Sequence, residues 1–397
     1  MITSQTQAVA PSTTELVSRA AALRELLWSN AEQADRDRRL SEDVVAALND
    51  AGLFRLMTPK RLGGYETNAS TLIEVIAEIG KGDMSAAWVA GVLNWAAWQI
   101  GLFPEQAQQD VWGENPDATA CWVMGASVQH TVVDGGIVVS GKWANASGSA
   151  HSDWAVLSVP MSFGPKGPDY SMVLIPMSEL TIVDTWFVTG VRASASNTLV
   201  AEDVFIPDHR ILPLLRAQNG ECFNGHPEEK LYRSPYTIGG LAIMAPQLGV
   251  VSAMFEYVQK SSQGKMVPAA GVMDMSAWPS FQMEFAAAAT KIDLAWLLAG
   301  RAASCLDTAA QTGELPDDRI RGQLRIDPAW VSKELHEAAE ILMNEAGVSA
   351  FGESSPLQRM WRDISTAHRH TAFRLNPVKE LYGRILLGKD SDAGFMF

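Results

Sequence analysis

The apolar positions Leu16, Ala20, Leu23, Leu26 and Leu27 recur at spacings of three and four, and Val44, Val45 and Leu48 resume the pattern after Ser41. That period belongs to helices with one buried face, and Ser41 followed by Glu42 and Asp43 reads as a helix start. Gly52 supplies a left-handed helix end, Pro59 with Gly63 and Gly64 marks a loop, and helix is predicted again from Ala69 to about Trp112. Near Asp117 the texture changes to short runs rich in Val, Thr and Trp, over Thr119 to Val128 and Thr131 to Lys142. Within them Val132 to Val139 reads as two strands joined at Gly135 and Gly136, the strongest hairpin signal in the chain. Further strands are predicted at Trp154 to Pro160, Ser171 to Pro176, Leu180 to Phe187 and Thr198 to Ile206. From Leu231 the helical period returns, with breaks at Gly271 to Pro279 and at Gly313 to Asp318. The chain therefore reads as mainly α with a central β-domain. Its parts are an N-terminal helical domain (1–117), a middle antiparallel barrel or sandwich (118–215) and a C-terminal helical bundle (216–397).

Two segments, Met84 to Pro104 and Ser234 to Phe255, contain no charged residue over 21 and 22 positions. The first carries Asn94, Gln99 and three tryptophans, the second Pro235, Pro246 and Gln247, so neither offers lipid a continuous apolar surface. A helix apolar on all sides must be enclosed on all sides, and both are expected to be buried bundle helices.

Composition narrows the chemistry. Among 397 residues, 45 acidic against 31 basic side chains give a net charge of -14, which repels nucleic acid and anionic lipid and favours small-molecule work. Cys121, Cys222 and Cys305, spaced by about a hundred residues, fit neither a disulfide framework nor a zinc site, and a reducing cytoplasm is expected. The opening residues lack the basic start and apolar run of a signal peptide and read as a loose leader.

Several stretches, in order, resemble the acyl-CoA dehydrogenase fold along nearly the whole chain. They are Ala51-Gly52-Leu53-Phe54 leading to Gly63-Gly64-Tyr65-Glu66, Trp122-Val123-Met124-Gly125-Ala126-Ser127, and Gly190-Val191-Arg192-Ala193-Ser194-Ala195-Ser196-Asn197 followed by Val204-Phe205-Ile206-Pro207. Within that fold the chain lacks the Tyr-Glu-Gly-Thr context of the dehydrogenase base. It is instead similar to the oxygenase components of two-component flavin-dependent monooxygenases. Trp361-Arg362-Asp363, with His370 seven residues after the Asp, resembles that branch's segment bearing a catalytic histidine. Ser147 in Ala144-Asn145-Ala146-Ser147-Gly148-Ser149 matches its flavin-contacting serine.

The resemblance implies hydroxylation or epoxidation of a phenol- or indole-like ring through a flavin C4a-hydroperoxide. Reduced FAD or FMN would come from a separate NAD(P)H-dependent flavin reductase, because no Gly-x-Gly-x-x-Gly opens a helix here. It also implies a C-terminal four-helix bundle that builds a homotetramer, and flavin-side residues Trp122, Met124, Ser127, Trp143 and Ser147. His370 is the implied acid/base, with His368 packed or facing a partner. Several phenol hydroxylases of the branch carry a histidine near the position of Ala96; here Asn94, Trp95 and Trp98 form the expected substrate wall, suited to a flat heteroaromatic. His368 and His370, two apart on a regular helix, would point in different directions, and no metal site is expected. Three rival readings remain at this stage: an acyl-CoA dehydrogenase using Glu380, an N-oxygenase of an amino sugar or related amine, and a non-catalytic scaffold.

Overall fold

The expected order of helices, strands and helices is the observed one. The computed structural model describes residues 10–124, 127–164, 167–221 and 224–389, so Gly125, Ala126, Cys222 and the opening nine residues lie outside the described residues. The N-terminal helices are α1 (Thr13–Ala22), α2 (Arg24–Asp37), α3 (Glu42–Asp50), α4 (Ala69–Gly82), α5 (Met84–Ile100) and α6 (Glu105–Trp112). Their starts are set by capping side chains that accept otherwise unpaired backbone N–H groups: Ser41 takes Val44, Asn68 takes Thr71 and Asp83 takes Ser85. Every residue of α5 is buried, as its lack of charge requires.

Among the described residues eight strands follow: β1 (Ala120–Val123), β2 (Ser127–Val133), β3 (Gly136–Ala146), β4 (Trp154–Gly164), β5 (Gly167–Pro176), β6 (Thr181–Val183), β7 (Asn197–Pro207) and β8 (Ile211–Pro213). They form two four-stranded sheets, in the orders β1-β4-β5-β8 and β2-β3-β7-β6. The β2–β3 hairpin lies where the glycine turn predicts it. One expectation is corrected: the middle part is not wholly antiparallel, because β1 runs parallel to β4, placing Trp122 opposite Val156.

Alternation along these strands divides their side chains between two cores. Leu157, Val173 and Cys121 point between the sheets, whereas Val156, Met172 and Leu174 point the other way, into the helical core. Trp122 follows the second set and packs toward α5.

The chain continues through α7 (Leu214–Gln218), α8 (Ile238–Ser262), α9 (Pro279–Thr312), α10 (Asp318–Ala346), α11 (Pro356–Ala367) and α12 (Leu375–Leu386). The breaks predicted near Pro279 and Asp318 are the starts of α9 and α10. Helix α8 is long and apolar enough to cross a membrane, yet 83% of its most apolar window is buried in protein. It lies tight against α5: a Cβ on Gly91 would stand 2.3 Å from the Ala242 carbonyl, and one on Gly239 would stand 2.0 Å from the Trp95 ring. Both apolar segments are thus buried helices, although α5 is covered partly by β1 and not by helices alone.

Candidate active site

Strand β3 delivers Ser147 through an irregular end. Its register with β7 shifts between Trp143 and Ala146, Asn145 takes a left-handed φ of 66°, and Gly148 turns the chain at φ 76°. Ser147 is buried, and its Oγ accepts the Trp88 indole N–H at 3.0 Å. The other side of the Trp88 ring meets the His370 imidazole edge-on, with centroids 5.7 Å apart. A residue just beyond β3 and a residue just beyond α11 therefore converge on one side chain of α5.

His370 does not sit on a regular helix. Helix α11 ends at Ala367, the His370 N–H bonds back to the Ala367 carbonyl, and the His370 Nδ1 accepts the Ala372 N–H at 3.2 Å. The expected opposition of His368 and His370 across a helix is replaced by a turn that sends them to different neighbours. His368 stacks on His336 at 4.7 Å and shares a hydrogen bond with Ser332 at 3.0 Å. His370 is exposed at the surface, with the Trp88 and Phe373 rings and the Arg325 cation close by. Loss of water, helped by the nearby Arg325 cation, pushes its imidazole down to about 4, so it is neutral at pH 7.

Behind Ser147 stand two further buried hydroxyls, Ser196 at 2.7 Å and, beyond it, Ser194 at 2.7 Å from Ser196. The turn carrying them is strained. Val191 and Ala195 adopt left-handed φ values of 52° and 46°, uncommon for any residue with a side chain and most of all for a β-branched one. Asp363 of α11 holds the turn by accepting the Val191 N–H at 2.6 Å. Arg192 donates to the Asp35 carbonyl of α2 at 2.8 Å, and Gly148 N–H donates to the Ser194 carbonyl at 2.8 Å. Such strain persists only where surroundings over-determine it, and here it fixes the serines against Ser147.

The remaining expected site residues divide into two groups. Trp95 lies seven residues after Trp88, on the same face of α5 and about 10 Å further along the axis. Its ring packs on Trp122 at 3.8 Å, and the Trp122 N–H donates to Gln99 at 2.8 Å. Met124 is half-buried beside this core and Ser127 is exposed at the start of β2. In contrast, Asn94 is spent on backbone: it accepts from Met57 and donates to Leu53 and Ala90, pinning the chain after α3 to α5. Trp98 is fully buried and donates to the Leu231 carbonyl. Trp143 lies in the core between the sheets and donates to the Ser158 carbonyl. The geometry thus gives Asn94, Trp98 and Trp143 packing duties in place of the ligand contacts expected of them. Trp88, Ser194 and Ser196 are the residues the sequence reading passed over; the seven-residue spacing of Trp88 from Trp95 is the signal that marks the first.

The donor set fits an isoalloxazine. The Trp95 Nε1, which lies against Gly239 of α8, is buried without a partner in the protein, a deficit that a ring edged with nitrogen and oxygen would make good. A cavity of about 230 Å³ lined by Lys60, Glu66, Asn68, Asp307 and Gln311 includes none of these residues, and its mixed charges offer no flat apolar wall.

Comparison with known proteins agrees with the fold. Residues 15–115 match the acyl-CoA dehydrogenase N-terminal domain and residues 241–375 the acyl-CoA dehydrogenase C-terminal domain. The chain is 33% identical to the FADH(2)-dependent resorcinol hydroxylase oxygenase component of Rhizobium sp. (strain MTP-10005), over 94% of each protein. It is 32% identical to the flavin-dependent monooxygenase oxygenase subunit HsaA of Rhodococcus jostii (strain RHA1), over 91% of this chain and 95% of that one. The solved structure of XiaF from Streptomyces sp. in complex with FADH2 and glycerol superimposes with a TM-score of 0.90 at 29% identity, covering 96% of this chain and 97% of that one. Fold and relatives agree: the chain belongs to the oxygenase components of two-component flavin-dependent monooxygenases, aromatic hydroxylases built on the acyl-CoA dehydrogenase fold.

Proposed function

We propose that this chain hydroxylates or epoxidises a phenol- or indole-like ring with oxygen and reduced FAD or FMN from a separate NAD(P)H-dependent reductase, acting as a cytoplasmic homotetramer. The observation that carries the reading is the convergence of Ser147 and His370 on Trp88. When bound, the reduced flavin supplies the oxygen activation. The protein's part is to hold the flavin edge at Ser147, wall the site with Trp88, Trp95 and Trp122, and manage a proton at His370. With Nδ1 accepting the Ala372 N–H, the neutral imidazole carries its proton on Nε2 and presents that N–H as a donor to the oxygen of a substrate or of the reacting oxygen species held against it. The flat faces of Trp95 and Trp122 favour an aromatic substrate over a sugar amine. Glu380, the one base available to a dehydrogenase reading, is exposed on α12.

The test is anaerobic titration with reduced FMN and reduced FAD, followed by oxygen in the presence of phenol, indole or an amino sugar. Hydroxylated ring product supports the reading. Flavin reduction by an acyl-CoA without oxygen, or oxygenation of the amine alone, contradicts it.

A further inference from the structure

The hydroxyls behind Ser147 form a chain whose polarity is fixed at its far end. Ser147 Oγ lies 2.7 Å from Ser196 Oγ, Ser196 Oγ 2.7 Å from Ser194 Oγ, and Ser194 Oγ 2.7 Å from the carbonyl oxygen of Val191. Two oxygens approach this closely with a proton between them, and a carbonyl has none to give. The three contacts therefore use all three hydroxyl protons, each directed toward Val191. Reversing the chain would bring two bare oxygens together at the Val191 end and leave the Ser147 proton without a protein acceptor. Trp88 N–H occupies one lone pair of Ser147 from the other side, at 3.0 Å. All four side chains are buried, so no bulk water competes for these bonds. What Ser147 has left to offer a ligand is a lone pair and no proton.

We infer that Ser194 and Ser196 orient the Ser147 hydroxyl so that it accepts and does not donate, and that the site thereby selects reduced over oxidised flavin. The inference rests on the reading that the flavin lies with N5 against Ser147. Reduced flavin carries a hydrogen on N5 and meets the lone pair as a donor. Oxidised flavin has only a lone pair there, and two acceptors face each other. A site wired in this way takes its cofactor in the state a reductase delivers and releases it once it is oxidised.

The experiment measures dissociation constants for reduced flavin without oxygen and for oxidised flavin in air, with FMN and FAD, on the wild type and on Ser194→Ala, Ser196→Ala, Trp88→Phe and Ser147→Val. Ser194→Ala is informative because Ser194 reaches Ser147 only through Ser196. Either serine-to-alanine change frees the Ser147 proton to point outward. Each is expected to lower the ratio of oxidised to reduced dissociation constants about tenfold, the worth of one hydrogen bond turned the wrong way. Trp88→Phe removes a donor, leaves Ser147 an acceptor and should keep the ratio. Should one serine variant fail to fold, the other carries the same expectation. A ratio unchanged in both folded serine variants, with Ser147→Val weakening flavin binding, overturns the inference and leaves the flavin reading standing. Binding of both flavin states unaffected by Ser147→Val contradicts the flavin reading itself, and the inference falls with it.

Discussion

Asp363 accepts the backbone N–H of Val191 at 2.6 Å and so joins the helix that leads to His370 to the strained turn that supports Ser147. The carboxyl group is buried, and loss of water, with Asp83 and Asp35 nearby, pushes it up to about 7 against the opposing pull of Arg359. In the unfolded chain such a group releases its proton near 3.9. Between those values the native state binds more protons, so its stability falls as pH rises through that window. Asp363→Asn keeps the acceptor for Val191 and has no proton to lose. Thermal unfolding from pH 4 to pH 8 should show a declining midpoint in the wild type and a shallower decline in the variant. Asp83, raised to about 6, accounts for part of the slope that remains. Equal slopes in both proteins would contradict the assignment.

His370→Ala should leave reduced-flavin affinity intact and slow ring hydroxylation by about a hundredfold, with hydrogen peroxide released in place of product. Wild-type turnover should hold down to an acid limb near pH 4, well below the usual histidine range. Product and peroxide quantified across pH check both statements. Coupling that stays high in the variant would remove His370 from the chemistry.

The Trp95 Nε1 is a buried donor without a protein partner, a state that costs about 1–3 kcal/mol when nothing binds there. Trp95→Phe should therefore leave the ligand-free thermal midpoint unchanged or higher while weakening flavin or ring-substrate binding about tenfold. Calorimetry and titration of the same samples separate the two effects. A destabilised variant with unaltered affinities would make Trp95 a packing residue only.

Asn94→Ala should do the reverse. It strips the Met57 N–H and the Leu53 carbonyl of their side-chain partner and should cost about 3 kcal/mol of stability, with affinities per folded molecule unchanged. Denaturant unfolding beside flavin titration gives both numbers, and a specific loss of substrate binding would return Asn94 to the substrate wall.

Local signals carried most of the fold. The glycine hairpin at Gly135 and the breaks before Pro279 and Asp318 were legible because turn residues and loss of period mark them directly. The parallel pairing of β1 with β4 was not, since it joins segments about 30 residues apart and leaves no local trace. The end of α11 was hidden for another reason: the apolar spacing through Thr371 and Leu375 imitates a continuing helix, and no Gly or Pro marks the turn at His368. The assignments of Ser147 and His370 rest on motif resemblance, and the structure adds only that both touch Trp88. The stacked pair Trp95 and Trp122 could not be told from Trp98 and Trp143 by sequence, because all four follow the same apolar pattern.

The most direct measurement is a crystal structure of the protein with reduced flavin bound, read for the distance from N5 to the Ser147 Oγ. A separation of about 3 Å, with His370 across the ring beside Trp88, is the predicted result. A flavin seated elsewhere, such as the cavity beside Lys60 and Asp307, would contradict the account.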